Sequence, residues 1–149
     1  GANLALAADV VIAAEMAVFL QAFTRIGLIP DAGGTYWLPR QVGFSKAMVA
    51  ALFAEPITAR HASDLGMIWE AIPDADFEAH RRARAAHLAS GPTEAYMRTK
   101  EALRQSYDND LETQILLEAR LQGKAGKTRD FREGVMAFLE KRPAAFEGR

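Results

Sequence analysis

The stretch Phe19–Arg40, FLQAFTRIGLIPDAGGTYWLPR, governs how the rest of the chain is read. Its apolar segment Ile26-Gly27-Leu28-Ile29-Pro30 carries one carboxylate, Asp31, up to a Gly33-Gly34 pair that opens a predicted helix. An acid placed there meets the unpaired backbone N–H groups of a first helical turn. Pro30 presets its own φ and holds Ile29 extended, while the two glycines admit backbone or ligand at close range. Two readings of Asp31 stay open at this point, a plain helix cap and a reactive carboxylate. A cap has no use for an apolar wall, yet Phe23, Ile29, Tyr36 and Trp37 are all bulky. They are the candidate pocket walls, with a core role open for each, and Asp31 is expected to lie among them in a dry niche.

Upstream of this stretch, Asn3–Ala8 reads as a buried helical turn leading into the strand-like Val10–Ala14. A strand apolar on both faces belongs inside a covered sheet, and its partner is not evident further along the chain. The sequence therefore reads as the C-terminal part of a larger domain. Val18–Gln21 is a short second strand. Downstream, Gly34–Val42 is a helix ended by Gly43, Ser45 caps Lys46–Ala54, and Thr58 caps Ala59–Leu65. Met67–Ile72 is strand-like and Pro73 ends it. Beyond Asp74 the pattern is helical: Phe77–Ser90, Glu94–Tyr107, Leu111–Gly123, and Phe131–Glu140 opened by an Asp130/Glu133 capping-box variant, with Ala144–Arg149 as a tail. The organisation expected is α/β over residues 1–74 and helical over residues 75–149.

Composition narrows the function classes. The 149 residues are 50% hydrophobic and 25% charged, ordinary values for a globular protein. With 18 basic against 19 acidic side chains the net charge is -1, so no basic field favours nucleic acid or an anionic membrane. The longest apolar run, Ala2–Ala14, is interrupted by Asn3 and Asp9 and is too short to span a bilayer. There are no cysteines, which fits a reducing, cytoplasmic setting, and the three histidines do not form a ligand set, so no metal is expected. Arg81, Arg82 and Arg84 read as a solvated helix face.

ANLALAAD (Ala2–Asp9), GLIPDAGGT (Gly27–Thr35), Leu38-Pro39-Arg40, Gly66-Met67 with Pro73 behind it, and EGVMAFLEKRPAAFEGR (Glu133–Arg149) occur in an order and spacing that resembles the enoyl-CoA hydratase/isomerase, or crotonase, superfamily over the whole chain. The resemblance implies an acyl-CoA thioester substrate and an α/β fold of β-β-α spiral turns. It also implies a C-terminal helical region for homotrimer contacts, as a trimer or dimer of trimers. Coenzyme A enters as part of the substrate and no separate cofactor is implied. About 100 residues of the family's N-terminal part, roughly one small domain, lie outside the match.

Family members stabilise a thioester enolate with two backbone N–H groups. One belongs to the part outside the match and the other to a glycine just before Gly1, which makes Gly1 and Asn3 the oxyanion neighbourhood. Residues 1–149 alone are accordingly expected to be inactive or very weak. Hydratases of the family carry glutamates at the positions matching Asn3 and Phe23, and neither is acidic here, which disfavours hydration. Asp31 falls where isomerase members carry a catalytic aspartate, among them dienoyl-CoA isomerases and the ring-epoxide isomerases of phenylacetate breakdown. The resemblance thus implies an acyl-CoA isomerase with Asp31 as proton-transfer group and Phe23, Ile29, Pro30, Gly33, Tyr36 and Trp37 around the acyl group. Phe138 and Lys141 match residues that meet the adenine and 3′-phosphate of coenzyme A. A hydratase or other crotonase reaction, or a non-catalytic binding module, remains the alternative.

Overall fold

A computed structural model describes all of residues 1–149. In chain order the elements are α1 (Ala2–Leu6), β1 (Ile12–Ala14), β2 (Val18–Phe19), a 3-10 turn (Ala22–Ile26), α2 (Gly34–Val42) and α3 (Phe44–Phe53). They continue with β3 (Ile57–Thr58), α4 (Ala59–Asp64), β4 (Glu70–Ile72), α5 (Asp74–Ala89), α6 (Thr93–Gln105), α7 (Leu111–Ala125) and α8 (Arg129–Glu140). Backbone contacts group these into two compact units, Gly1–Arg81 and Arg82–Arg149, so the division falls inside α5 rather than at residue 74. The first turns of α5 stay with the first unit because Asp74 Oδ2 accepts a hydrogen bond from Met16 N at 3.2 Å and His80 pairs with Glu70 on β4.

In the first unit the partner missing from the sequence reading of Val10–Ala14 is found. β1 lies parallel to β4, with Ile12 opposite Glu70 and Ala14 opposite Ile72. Trp69 N to Val11 O and Glu15 N to Ile72 O, both 2.9 Å, extend the ladder at either end. Parallel neighbours need a long crossover, so this partner lies more than fifty residues away and no local pattern announces it. Of the expected strand Met67–Ile72, Glu70–Ile72 form the strand with Trp69 bonded at its edge; Met67 and Ile68 are buried core residues instead. β2 and β3 form a second, antiparallel pair, Val18 with Thr58 and Phe19 with Ile57. Leu6, Phe19, Leu38, Val42, Met67 and Ile68 gather with small alanines into one apolar cluster.

The helix starts divide into two kinds. Thr58 caps α4 by accepting from His61 N, and Gly34–Val42 is the helix expected. Ser45 does not cap α3, which begins a residue earlier at Phe44 behind Gly43, whose φ of 81° no L side chain adopts without strain. In the second unit Asp130 does not cap α8 either. Thr128 does, accepting from Phe131 N at 3.1 Å, while the buried Asp130 carboxylate accepts from Glu147 N at 2.7 Å and Gly148 N at 2.9 Å. The tail Ala144–Arg149 therefore folds back on α8. No helix is long and apolar enough to cross a membrane.

Candidate active site

Asp31 sits at a turn closed from both sides of the sequence. Its carbonyl oxygen accepts from Gly34 N at 2.8 Å, with Ala32 at φ 48° and Gly33 at φ 78° between them. Two successive positive φ values are the mirror-image turn pattern, and the non-glycine Ala32 bears a cost of about 1–2 kcal/mol in that region. Such strain persists only where surroundings enforce it. Here the enforcing group is Asn3 on α1, 4% exposed, whose Nδ2 donates to the same Asp31 carbonyl at 2.9 Å. Gln21 Nε2 in turn donates to Asn3 Oδ1 at 2.6 Å, and Gln21 is equally buried.

Gly34 is a steric requirement as well as a hinge. A Cβ there would lie 2.2–2.7 Å from the amide atoms of Asn3, inside any normal contact. Gly33 is packed by Trp37, whose ring edge would stand 3.1 Å from an added Cβ. Thus the glycine pair lets α1 and the indole close on the two ends of the turn. The Asp31 carboxylate itself is exposed and takes no hydrogen bond or ion pair.

The expected dry niche is not formed by these residues. Ile29 is 77% exposed and Tyr36 45%, with the Arg40 guanidinium 3.6 Å above the tyrosine ring. Trp37 packs edge-on to Tyr36 at 4.9 Å and leans on the apolar cluster, which makes it core as much as wall. Phe23 is half-buried in the 3-10 turn and Pro30 half-buried beside it. Ile29 and Tyr36 face solvent and Phe23, Pro30 and Trp37 are only half-buried, so the exposed carboxylate has no apolar cover from them. Pro30 and Gly34 do line a half-open apolar pocket of about 200 Å³ between α2 and α3, shared with Leu38, Phe44 and Met48. Sequence reasoning missed that pocket and missed Gln21, although a lone amide inside the apolar run Val18–Phe23 was a usable signal.

In the second unit Phe138 is 82% exposed and borders a cleft of about 440 Å³ with Phe131, Val135 and Phe146. Lys141, at φ 54° beyond the end of α8, lies outside that lining. Beside it Arg142 forks onto Glu133, with contacts of 2.6 and 3.0 Å, and reaches Glu140 at 2.6 Å. The guanidinium, helped by Ala145 N, holds the Glu133 carboxyl down at about 2. Arg142 is thereby committed to structure, and Lys141 carries the uncommitted charge at this helix end.

The family model for enoyl-CoA hydratase/isomerase matches residues 1–149, and the chain belongs to that family. A Rhodobacter capsulatus protein named "Probable enoyl-CoA hydratase" is 66% identical over the whole chain, which covers 58% of that protein. The 1,2-epoxyphenylacetyl-CoA isomerase of Escherichia coli is 44% identical, with 57% of its length covered. Among solved structures, an enoyl-CoA hydratase from Bacillus anthracis superposes with a TM-score of 0.94 at 33% identity, over all of this chain and 58% of that one. The chain thus spans a little over half the length of the relatives it matches.

Proposed function

We propose that the protein to which this chain belongs is an acyl-CoA isomerase in which Asp31 moves the proton. The observation that carries the reading is the single unpaired carboxylate at the turn, held by its backbone while its side chain is left free for substrate. Asn3 and Phe23, where hydratases of this family place acids, offer none: the Asn3 amide is consumed by Gln21 and by the Asp31 carbonyl, and Phe23 has no proton to give. Without a pair of acids, a water is not readily placed and activated.

In the proposed cycle the Asp31 carboxylate takes a proton from a carbon activated by the thioester, and the C–H electron pair passes into an enolate. Backbone N–H groups near Gly1 stabilise the charge on the thioester oxygen, an effect typically worth about 3–4 kcal/mol per donor. The Asp31 carboxylic acid then returns the proton at a second carbon, which shifts the double bond or redirects ring opening. The remaining length of the protein is proposed to close over Asp31, with Phe23, Ile29, Pro30, Gly33, Tyr36 and Trp37 on the near side. Phe138 and Lys141 are proposed contacts for coenzyme A, through stacking and charge. No cofactor beyond the substrate's own coenzyme A takes part. Exposed Leu111, Leu116, Phe131 and Leu139 support contact between copies in a homotrimer.

The second reading, hydration of a 2-enoyl-CoA, is favoured by the name of the 66% identical relative, a probable enoyl-CoA hydratase. Incubating the full-length protein with 3-enoyl-CoA, 2-enoyl-CoA and a ring-epoxide acyl-CoA separates the two, with isomerised product expected and hydrated product negligible. Asp31→Asn is expected to lower isomerisation by about 10²-fold or more. Near wild-type turnover by that variant would end the proposal.

A further inference from the structure

Asn3 and Asp31 stand 28 residues apart, and one hydrogen bond joins them. Asn3 rides on α1, the segment assigned above to the thioester carbonyl, and its Nδ2 grips the carbonyl of the residue assigned to proton transfer. The orientation of the amide is forced rather than chosen. The backbone carbonyl of Asp31 can only accept, so the Asn3 nitrogen must face it, and Asn3 Oδ1 is then left to take the N–H that Gln21 presents. The site is buried, and Gly34 has surrendered its Cβ to make room for it.

We propose that Asn3 is a positioning residue for Asp31: its amide, braced by Gln21, fixes the distance between the enolate-stabilising segment and the proton-transferring carboxylate. This rests on the isomerase reading and deepens it. A base that must collect a proton at one carbon and deliver it at another needs a fixed origin for its swing. The Asp31 side chain is short and has no partner of its own, so its reach is set by where the backbone is held. When the bracket is broken, Asp31 is free to move with the strained Ala32-Gly33 turn, and proton return competes with exchange to water.

The test is isomerisation in D2O by the full-length protein, reading kcat, KM and deuterium incorporated per turnover. Asn3→Asp keeps the shape and still accepts from Gln21, but sets an oxygen against the Asp31 carbonyl. Asn3→Ala removes the bracket altogether. Both are expected to lower kcat by about 10- to 100-fold with KM within about twofold, the scale of effect of a small misplacement of a reacting group. Both are also expected to raise deuterium per turnover several-fold. A purely structural role would lower the rate through lost folded protein and leave the deuterium fraction unchanged.

Gln21→Met gives a variant of similar shape that removes the buried Oε1, which has no donor, along with the group that braces Asn3. It is expected to fold and to raise deuterium incorporation less than the Asn3 variants do. Folded variants with wild-type kcat and deuterium fraction, in a protein whose Asp31→Asn form is inactive, overturn the positioning role alone. Activity in Asp31→Asn overturns the isomerase reading instead.

Discussion

Replacing Gly34 by alanine sets two effects against each other. Gly34 is the first residue of α2, and intrinsic helix propensity favours Ala over Gly by about 1 kcal/mol, so propensity alone promises a gain. The new Cβ, however, would lie 2.2 Å from Asn3 Nδ2, 2.5 Å from its Cγ and 2.7 Å from its Oδ1. Ordinary carbon contact begins about 1 Å further out, and Asn3 has no room to retreat because Gln21 and the Asp31 carbonyl hold it. Moving it breaks two buried hydrogen bonds, each worth about 0.5–1.5 kcal/mol, and adds an overpacking cost of about 1–3 kcal/mol. The net expectation is a loss of about 1–5 kcal/mol, which for a chain of this size lowers the thermal midpoint by roughly 3–15 °C. Circular dichroism melts of wild type, Gly34→Ala, Asn3→Ala and the double variant form the cycle. Because Asn3→Ala vacates the space the methyl needs, the double variant should be clearly more stable than the sum of the singles predicts. Strict additivity, or a stabilised Gly34→Ala, would refute the geometry on which the turn and the bracket both depend.

Ala32 at φ 48° should accept glycine with a gain in melting temperature of a degree or more, since about 1–2 kcal/mol of strain is relieved against about 0.5–1 kcal/mol of added chain entropy; destabilisation in the same melt would show the turn relaxed in solution. Asp130→Ala removes two short hydrogen bonds from backbone amides to a buried carboxylate and should cost about 2–4 kcal/mol. Amide exchange at Glu147 and Gly148 should then approach that of free chain, and retained protection would count against the clamp. The Glu133 carboxyl, held at about 2 by Arg142 and Ala145 N against 4.5 in the unfolded chain, stabilises the folded form fully above 4.5. That contribution fades as pH falls from 4.5 through 2, and a carboxyl titration by NMR in Arg142→Gln should move up toward the ordinary value; an unmoved midpoint would remove Arg142 as the cause.

Much of the helical framework was legible because it follows from neighbours in sequence. Thr58 three residues before the His61 amide, Gly33-Gly34 before a helical repeat and Gly43 after it specify their turns locally, and Gly34–Val42 was readable to the residue. The family signature was equally plain, being carried by short strings in a fixed order. Where two local signals competed, the sequence misled. Asp130 with Glu133 looks like a cap, yet Thr128 lies closer to the first free amide, and Asp130 is drawn off by a tail whose return no local pattern encodes.

What the chain order alone determined is the family and the local signals: the signature strings, one acid ahead of a glycine pair, and the caps and glycines that start and stop the helices. What only the folded molecule decided is where that acid stands. Parallel pairing of β1 with β4, the grip of Asn3 across 28 residues and the exposure of Ile29 and Tyr36 all depend on which distant segments meet. Those meetings are settled by burial of the shared apolar cluster, an energy of the whole unit that no window of neighbouring residues contains.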